Sequence, residues 1–202
     1  MALSSKKKYE HILARERAIA ASVARATNPP KPFSVWEFMI PVIFILTFMK
    51  NKQTRELFIQ NFLFTKKLAL QAAFNMIAKG WSRGKAKAQI EQKTGLVLEG
   101  ENRDIYSDKI RREQFKEIEL LIDHYAKLLT AEGNDYGSLV LCAYAHRENY
   151  QTFLVQLESA EKAVFDAARQ TLAENVDFNA LSKIESATQR ARTAEVEKIF
   201  HA

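Results

Sequence analysis

Apolar residues recur along this chain at helical rather than strand spacing. From Ser107 to Ala131, the positions Ile110, Ile118, Leu121, Ile122, Tyr125, Leu128 and Leu129 form one broad helix face. The turn residues of EGNDYG end it. From Ser138 to Glu174, Ala143, His146, Tyr150, Phe153, Leu157, Ala160 and Val164 follow in steps of 3 and 4, the coiled-coil-like spacing of an antiparallel bundle. ENVDFN breaks that run, Asp177 is placed to cap, and Leu181, Ile184, Ala187, Ala191 and Ile199 mark a last helix.

The first half has a different texture. Lys6 to Thr27 reads as a basic helix with a thin apolar stripe of Tyr9, Ile12, Leu13, Ile19 and Val23, ended by NPPKP because proline cannot continue a helix. TRELFIQNFLFTKKLALQAAFNMIAKG reads as one helix with a narrow polar stripe of Glu56, Gln60, Lys67 and Gln71. Most of its remaining circumference is apolar, so protein or lipid must cover it almost all round. Gly80 is placed as its C-terminal stop. A short basic helix is expected from Ser82 to Lys93, closed at Gly95, followed by a loop or short hairpin in LVLEGENRDIY.

Between the first two helices lies FMIPVIFILTFMKNK, Phe38 to Lys52, with no charge before Lys50. Ser34 and Glu37 have capping-box spacing and Pro41 would kink a helix. Counted from Phe33 to Met49 the run is short of the roughly 20 apolar residues of a bilayer span. Basic residues flank it on both sides: Lys6, Lys7, Lys8, Arg15, Arg17, Arg25 and Lys31 before it, Lys50, Lys52 and Arg55 after it. A single crossing keeps its cationic flank on one side of the membrane. An in-plane or re-entrant segment on one leaflet, or a pair of core helices across Phe33–Ile77, fits better.

Charge sharpens the division. Residues 1–93 hold 17 Lys and Arg against five acids, whereas residues 94–202 hold 13 against 19. Such asymmetry points to an anionic partner for the first half or to attraction between the halves. The expected organisation is a basic helix and Pro-rich linker over 1–32, an apolar and basic helical segment over 33–93, and an acidic helical bundle over 94–202. The single cysteine, Cys142, excludes an internal disulfide and a multi-cysteine zinc site, and fits a cytoplasmic address. It reads as a small buried side chain one turn before His146.

No nucleophile elbow, phosphate loop, zinc spacing or paired-carboxylate signature occurs. GWSRGK has two glycines but not phosphate-loop spacing. Glu113, Glu117, His124 and His146 make a weak metal-site alternative, because the Glu-x-x-His pairs of di-iron bundles are absent. Basic residues near Trp81 suit nucleic acid less well than lipid, since most aromatics sit in apolar periodic stretches.

The sequence therefore predicts an all-α long-helix bundle with a basic amphipathic and apolar N-terminal half. No catalytic residue and no cofactor is assigned. The expected role is docking to an anionic membrane surface on its inner face or to a protein partner, with self-association open. Trp36, Phe38, Ile40, Ile43, Phe44 and Phe48 would insert, and Lys50, Lys52, Arg55, Lys66 and Lys67 would meet anionic groups. The competing expectation is a soluble all-α protein with a ligand or metal site between helices.

Overall fold

The computed structural model describes residues 3–27, 54–98, 107–171 and 178–201. These form eight helices and no strand: α1 (Ser5–Thr27), α2 (Thr54–Phe62), α3 (Phe64–Lys79), α4 (Arg83–Leu98), α5 (Asp108–Thr130), α6 (Tyr136–Tyr144), α7 (Arg147–Thr171) and α8 (Phe178–Phe200). The fold is the all-α bundle expected.

Local chemistry explains most boundaries. The Ser107 hydroxyl accepts the Ile110 N–H and starts α5, relieving one of the unpaired amides of a first turn. Asp135 and Ser138 exchange side-chain and backbone bonds in a capping box that starts α6. Gly80 ends α3 at φ 66°, a left-handed conformation that costs glycine little. Lys8, buried on α1, donates to the carbonyls of Leu129 (3.0 Å) and Ala131 (2.7 Å). Its cation lies at the negative end of α5 and ties the first helix to the fifth.

Three boundaries differ from expectation. The run from Thr54 to Lys79 is two helices, with Leu63 between them, yet Leu63 N–H bonds Ile59 O at 3.1 Å and Lys67 N–H bonds Leu63 O at 2.8 Å, so hydrogen bonding runs on through the junction. The polar stripe survives the junction: Gln60 donates to Glu56 at 2.7 Å and Lys67 to Gln60 at 3.0 Å. Gly95 lies inside α4, which runs to Leu98, so the helix takes up the start of the expected loop or hairpin. The long helix from Ser138 breaks at Ala145 (φ 59°, ψ −45°), where His146 N–H bonds Tyr144 O at 2.6 Å. This is a γ-turn of the rare, strained kind, and Asn149 Nδ2 holds it by donating to Tyr144 O at 2.9 Å. Asp177, the Ser34 cap, Pro41 and the whole of Phe38 to Lys52 lie outside the described residues.

The halves pack together. α3 lies along α5 in the most extensive seam, α5 also carries α7, and α1 packs on α8, α2 and α3. Ala69, Ala72 and Ala73 let α3 approach closely, and Leu121, Tyr125, Leu128 and Leu129 of α5 are almost wholly buried. Each such large side chain contributes about 1.5–3 kcal/mol by leaving water. Part of the charge asymmetry is spent inside the molecule, where Arg15, Lys66, Arg83 and Lys87 of the first half pair with Glu195, Glu161, Asp123 and Glu119 of the second. The two exposed pairs, Arg83–Asp123 and Lys87–Glu119, contribute little to stability.

The buried apolar residues form two clusters. The larger includes Ile12, Leu70, Leu121, Leu128, Leu157 and Val196; the smaller includes Ile19, Val23, Phe58, Leu63 and Ile184. Along α1 the residue between Ile12 and Ile19 is Glu16; between Leu63 and Leu70 it is Lys66; between Ile184 and Ile199, Arg192 and Glu195. A layer of buried charge therefore separates the clusters.

Candidate functional site: a buried ionic layer and the cavity beside it

Each charge of the layer stands at a position that helical spacing assigns to the core. On α5, Ile110, Gln114, Glu117 and Leu121 follow in steps of 4, 3 and 4; on α7, Leu157, Glu161 and Val164 in steps of 4 and 3. Their helices drive them inward. Glu16, Lys66, Glu117, Arg192 and Glu195 are all buried, and Glu161 is one-fifth exposed.

The layer is wired as follows. Arg192 grips Glu161 with both guanidinium arms at 2.7 and 2.8 Å, and Lys66 reaches the same carboxylate at 3.3 Å. Arg15 donates twice to Glu195, at 2.9 and 3.1 Å, and Tyr150 donates to its other oxygen at 3.0 Å. Tyr125 donates to Glu16 at 2.9 Å and Thr65 to Glu117 at 2.9 Å. Three cations thus face four carboxylates. Burial pushes the Glu117 carboxyl up, with Lys66 opposing and Glu161 adding to the shift. Burial raises Glu16 as well, again against Lys66. Burial would also raise Glu161, but Arg192 and Lys66 outweigh it and hold that carboxyl well below the ordinary range.

Behind the layer lies an aromatic cluster. His124 stacks on Phe153 with ring centres 4.1 Å apart, and its Nδ1 lies 2.7 Å from the Tyr144 hydroxyl. Burial, then Lys127 and Arg192, depress the imidazole pKa to about 3, so the ring is neutral and accepts or donates according to its tautomer. A small void of about 20 Å³ between Glu16, His124, Tyr136 and Glu195 has room for about one water molecule.

On the other side of the layer a cavity of about 570 Å³ opens between α7 and α8, within the range of small-molecule sites. The two helices run antiparallel, as the pairs Arg147–Glu197 and Glu161–Arg192 show. Phe62, Leu154, Val164, Phe165 and Ile184 supply apolar wall; Lys66, Glu117, Glu161 and Arg192 supply a polar floor. Asn61 lines the cavity at 8% exposure, and neither its amide nitrogen nor its carbonyl oxygen has a hydrogen-bond partner. A buried polar group left in this way costs free energy, and its presence calls for a reason.

The residues expected to dock are distributed differently. Trp36, Phe38, Ile40, Ile43, Phe44, Phe48, Lys50 and Lys52 lie outside the described residues. Arg55 is exposed at the start of α2, and Lys67 is half-buried in the polar stripe. Lys66 is buried at 5% exposure with its ammonium over the Phe62 ring and facing Glu161.

The four residues of the metal alternative are not brought together. Glu113 pairs with Lys116 at 2.8 Å, Glu117 takes the Thr65 hydroxyl, His124 meets Tyr144, and His146 is exposed beside the γ-turn. Among the described residues no three His, Cys, Asp or Glu side chains gather to hold a metal ion. Helical spacing placed His146 in the core, but the break at Ala145 resets the register. Cys142 is exposed rather than buried, its Sγ accepting the Glu132 N–H at 3.2 Å, because α6 ends at Tyr144 and turns this face outward. No helix among the described residues is long and apolar enough to cross a membrane. Compared with family models, curated proteins and solved structures, the chain matches none of them.

Proposed function

We propose that this chain is a binding protein whose α7–α8 cavity takes a small molecule with an apolar body and a polar end. The observation that carries the reading is Asn61, a buried amide with both hydrogen-bonding atoms unpartnered on the wall of a ligand-sized cavity. A ligand's polar end satisfies that amide, while Phe62, Leu154 and Phe165 cover its body. The ionic layer supports the reading by holding charged groups at fixed positions beneath the ligand.

Titration with Nile red, a neutral solvatochromic dye, tests it. Saturable one-to-one binding with a blue-shifted emission is expected. Val164→Trp, which fills the cavity, abolishes that binding while the far-ultraviolet helix signal persists. No saturable binding to the wild-type chain overturns the proposal.

The uncharged run from Phe38 to Met49, with bases on both flanks, supports a second reading: docking to an anionic membrane surface or to a protein partner. Sedimentation with anionic vesicles is its test. Phe44→Glu is expected to release the chain without unfolding the bundle, and collapse of the bundle on that change would make the segment core instead.

A further inference from the structure

The reading of the α7–α8 cavity as a binding site leaves the chemistry of its ligand open, and the charges lining it narrow that choice. Lys66 and Arg192 are both engaged by Glu161, and Arg147 is engaged by Glu197. Lys162, exposed at the rim, is the one other Lys or Arg of the described lining. An incoming anion would have to take its counter-charge from a carboxylate already in place. The acids are less fully matched: Glu117 bonds the Thr65 hydroxyl and feels Lys66 and Arg192 only beyond ion-pair distance, and Glu158 and Glu185 at the rim have no cation partner among the described residues. Asn61 Oδ1 adds a buried acceptor, and Phe62 and Phe165 line the cavity as apolar cover for the body of the ligand.

We infer that the cavity binds an organic cation, a protonated amine on an apolar body, and that Glu117 supplies its counter-charge. This inference rests on the proposed binding site and names the ligand class. The groups facing Glu117 are Thr65 and Lys66 from α3, Glu161 from α7 and Arg192 from α8. Burial keeps its carboxyl protonated further up the pH scale than usual. An ammonium seated beside it favours the carboxylate, so binding releases the carboxyl proton to solvent and leaves an ion pair in the floor. Affinity therefore rises with pH until Glu117 is ionised in the free protein, then levels off.

Calorimetric titration of the full chain with phenylbutylammonium, phenylbutanol and phenylbutyrate, three head groups on one body, tests the inference. The ammonium compound is expected to bind about tenfold or more tightly than the alcohol, with proton release read from two buffers of different ionisation enthalpy. Glu117→Gln, which keeps an acceptor for Thr65, removes the proton release and the preference for the ammonium. Asn61→Leu raises Tm, because two unpartnered atoms leave the interior, yet weakens all three compounds. Tighter binding of the alcohol or the carboxylate overturns the cation inference while the binding site stands. Binding of none, in a chain that also fails to take up Nile red, overturns both.

Discussion

The α3–α5 seam and the α7–α8 seam belong to one bundle and are closed in opposite ways. In the first, alanines on α3 meet leucines and a tyrosine on α5, with the Thr65–Glu117 hydrogen bond beside that apolar contact. In the second, the helices are bridged by Arg192 on Glu161 and by Arg147 on Glu197, with a cavity of about 570 Å³ between. Apolar contact stabilises in proportion to the area it buries and therefore closes a seam as far as side chains permit. A charge-assisted fork has a fixed length and direction, and it can hold two helices at a set separation. Closure by packing makes a scaffold; closure by ion pairs leaves room for a guest.

The comparison breaks most visibly at Arg192. Arg192→Met leaves Glu161 with only Lys66 inside the bundle, and a loss of about 3–5 kcal/mol is expected in urea unfolding. Replacing Lys66, Glu161 and Arg192 together by apolar residues of similar size is expected to be neutral or stabilising. That triple variant should also lose discrimination between charged head groups. A single Arg192 variant as stable as wild type would show that the layer does not hold the second seam.

Acid solution tests the same interior through His124. Its pKa in the fold is depressed to about 3, so the unfolded chain binds this proton more readily between there and the ordinary histidine range. The histidine's contribution to stability is complete above that range and is lost as pH falls through it. Glu117 has the opposite sign: its raised pKa means the fold loses stability as pH rises from the ordinary carboxylate range to the value in the fold. His124→Phe should flatten the acid limb of a Tm-against-pH curve, and Glu117→Gln the limb above it.

Overpacking sharpens the contrast at smaller scale. Ala73→Leu in the closed seam is expected to cost about 1–3 kcal/mol. Val164→Trp, facing the cavity, is expected to change thermal stability little while blocking the dye. Smallest is Ala145→Gly, which places a residue free of Cβ strain at φ 59°. Relief of about 1–3 kcal/mol of strain, offset by the backbone entropy of glycine, predicts a gain of about 1 kcal/mol in thermal unfolding.

The helices themselves were legible because their signals are local. Ser107, Gly80 and the apolar steps of α5 sit within a few residues of what they determine. The breaks at Leu63 and Ala145 were not, because neither carries a glycine or proline; the γ-turn is held by Asn149, whose role depends on the turn it stabilises. The site was half visible. Glu117 stands out in the sequence as a metal ligand and Lys66 as a lipid contact. Glu16, Glu161, Arg192 and Glu195 do not stand out, because one charge in an apolar stripe is usually a solvated flank. The signal was their common placement, 3 or 4 residues from core positions on both sides, repeated on five helices. Their pairing depends on which helices become neighbours, and a single helix does not contain that information.

The packing of α1 against α8 has a bearing on how the chain is made. Synthesis delivers the first helix long before the last, so Arg15 waits for Glu195, and Lys66 for Glu161, until most of the chain has left the ribosome. During that interval the emerging segment carries a large uncompensated positive charge beside the polyanionic surface of ribosomal RNA. Folding of this bundle is therefore a late event, set by contacts distant in sequence.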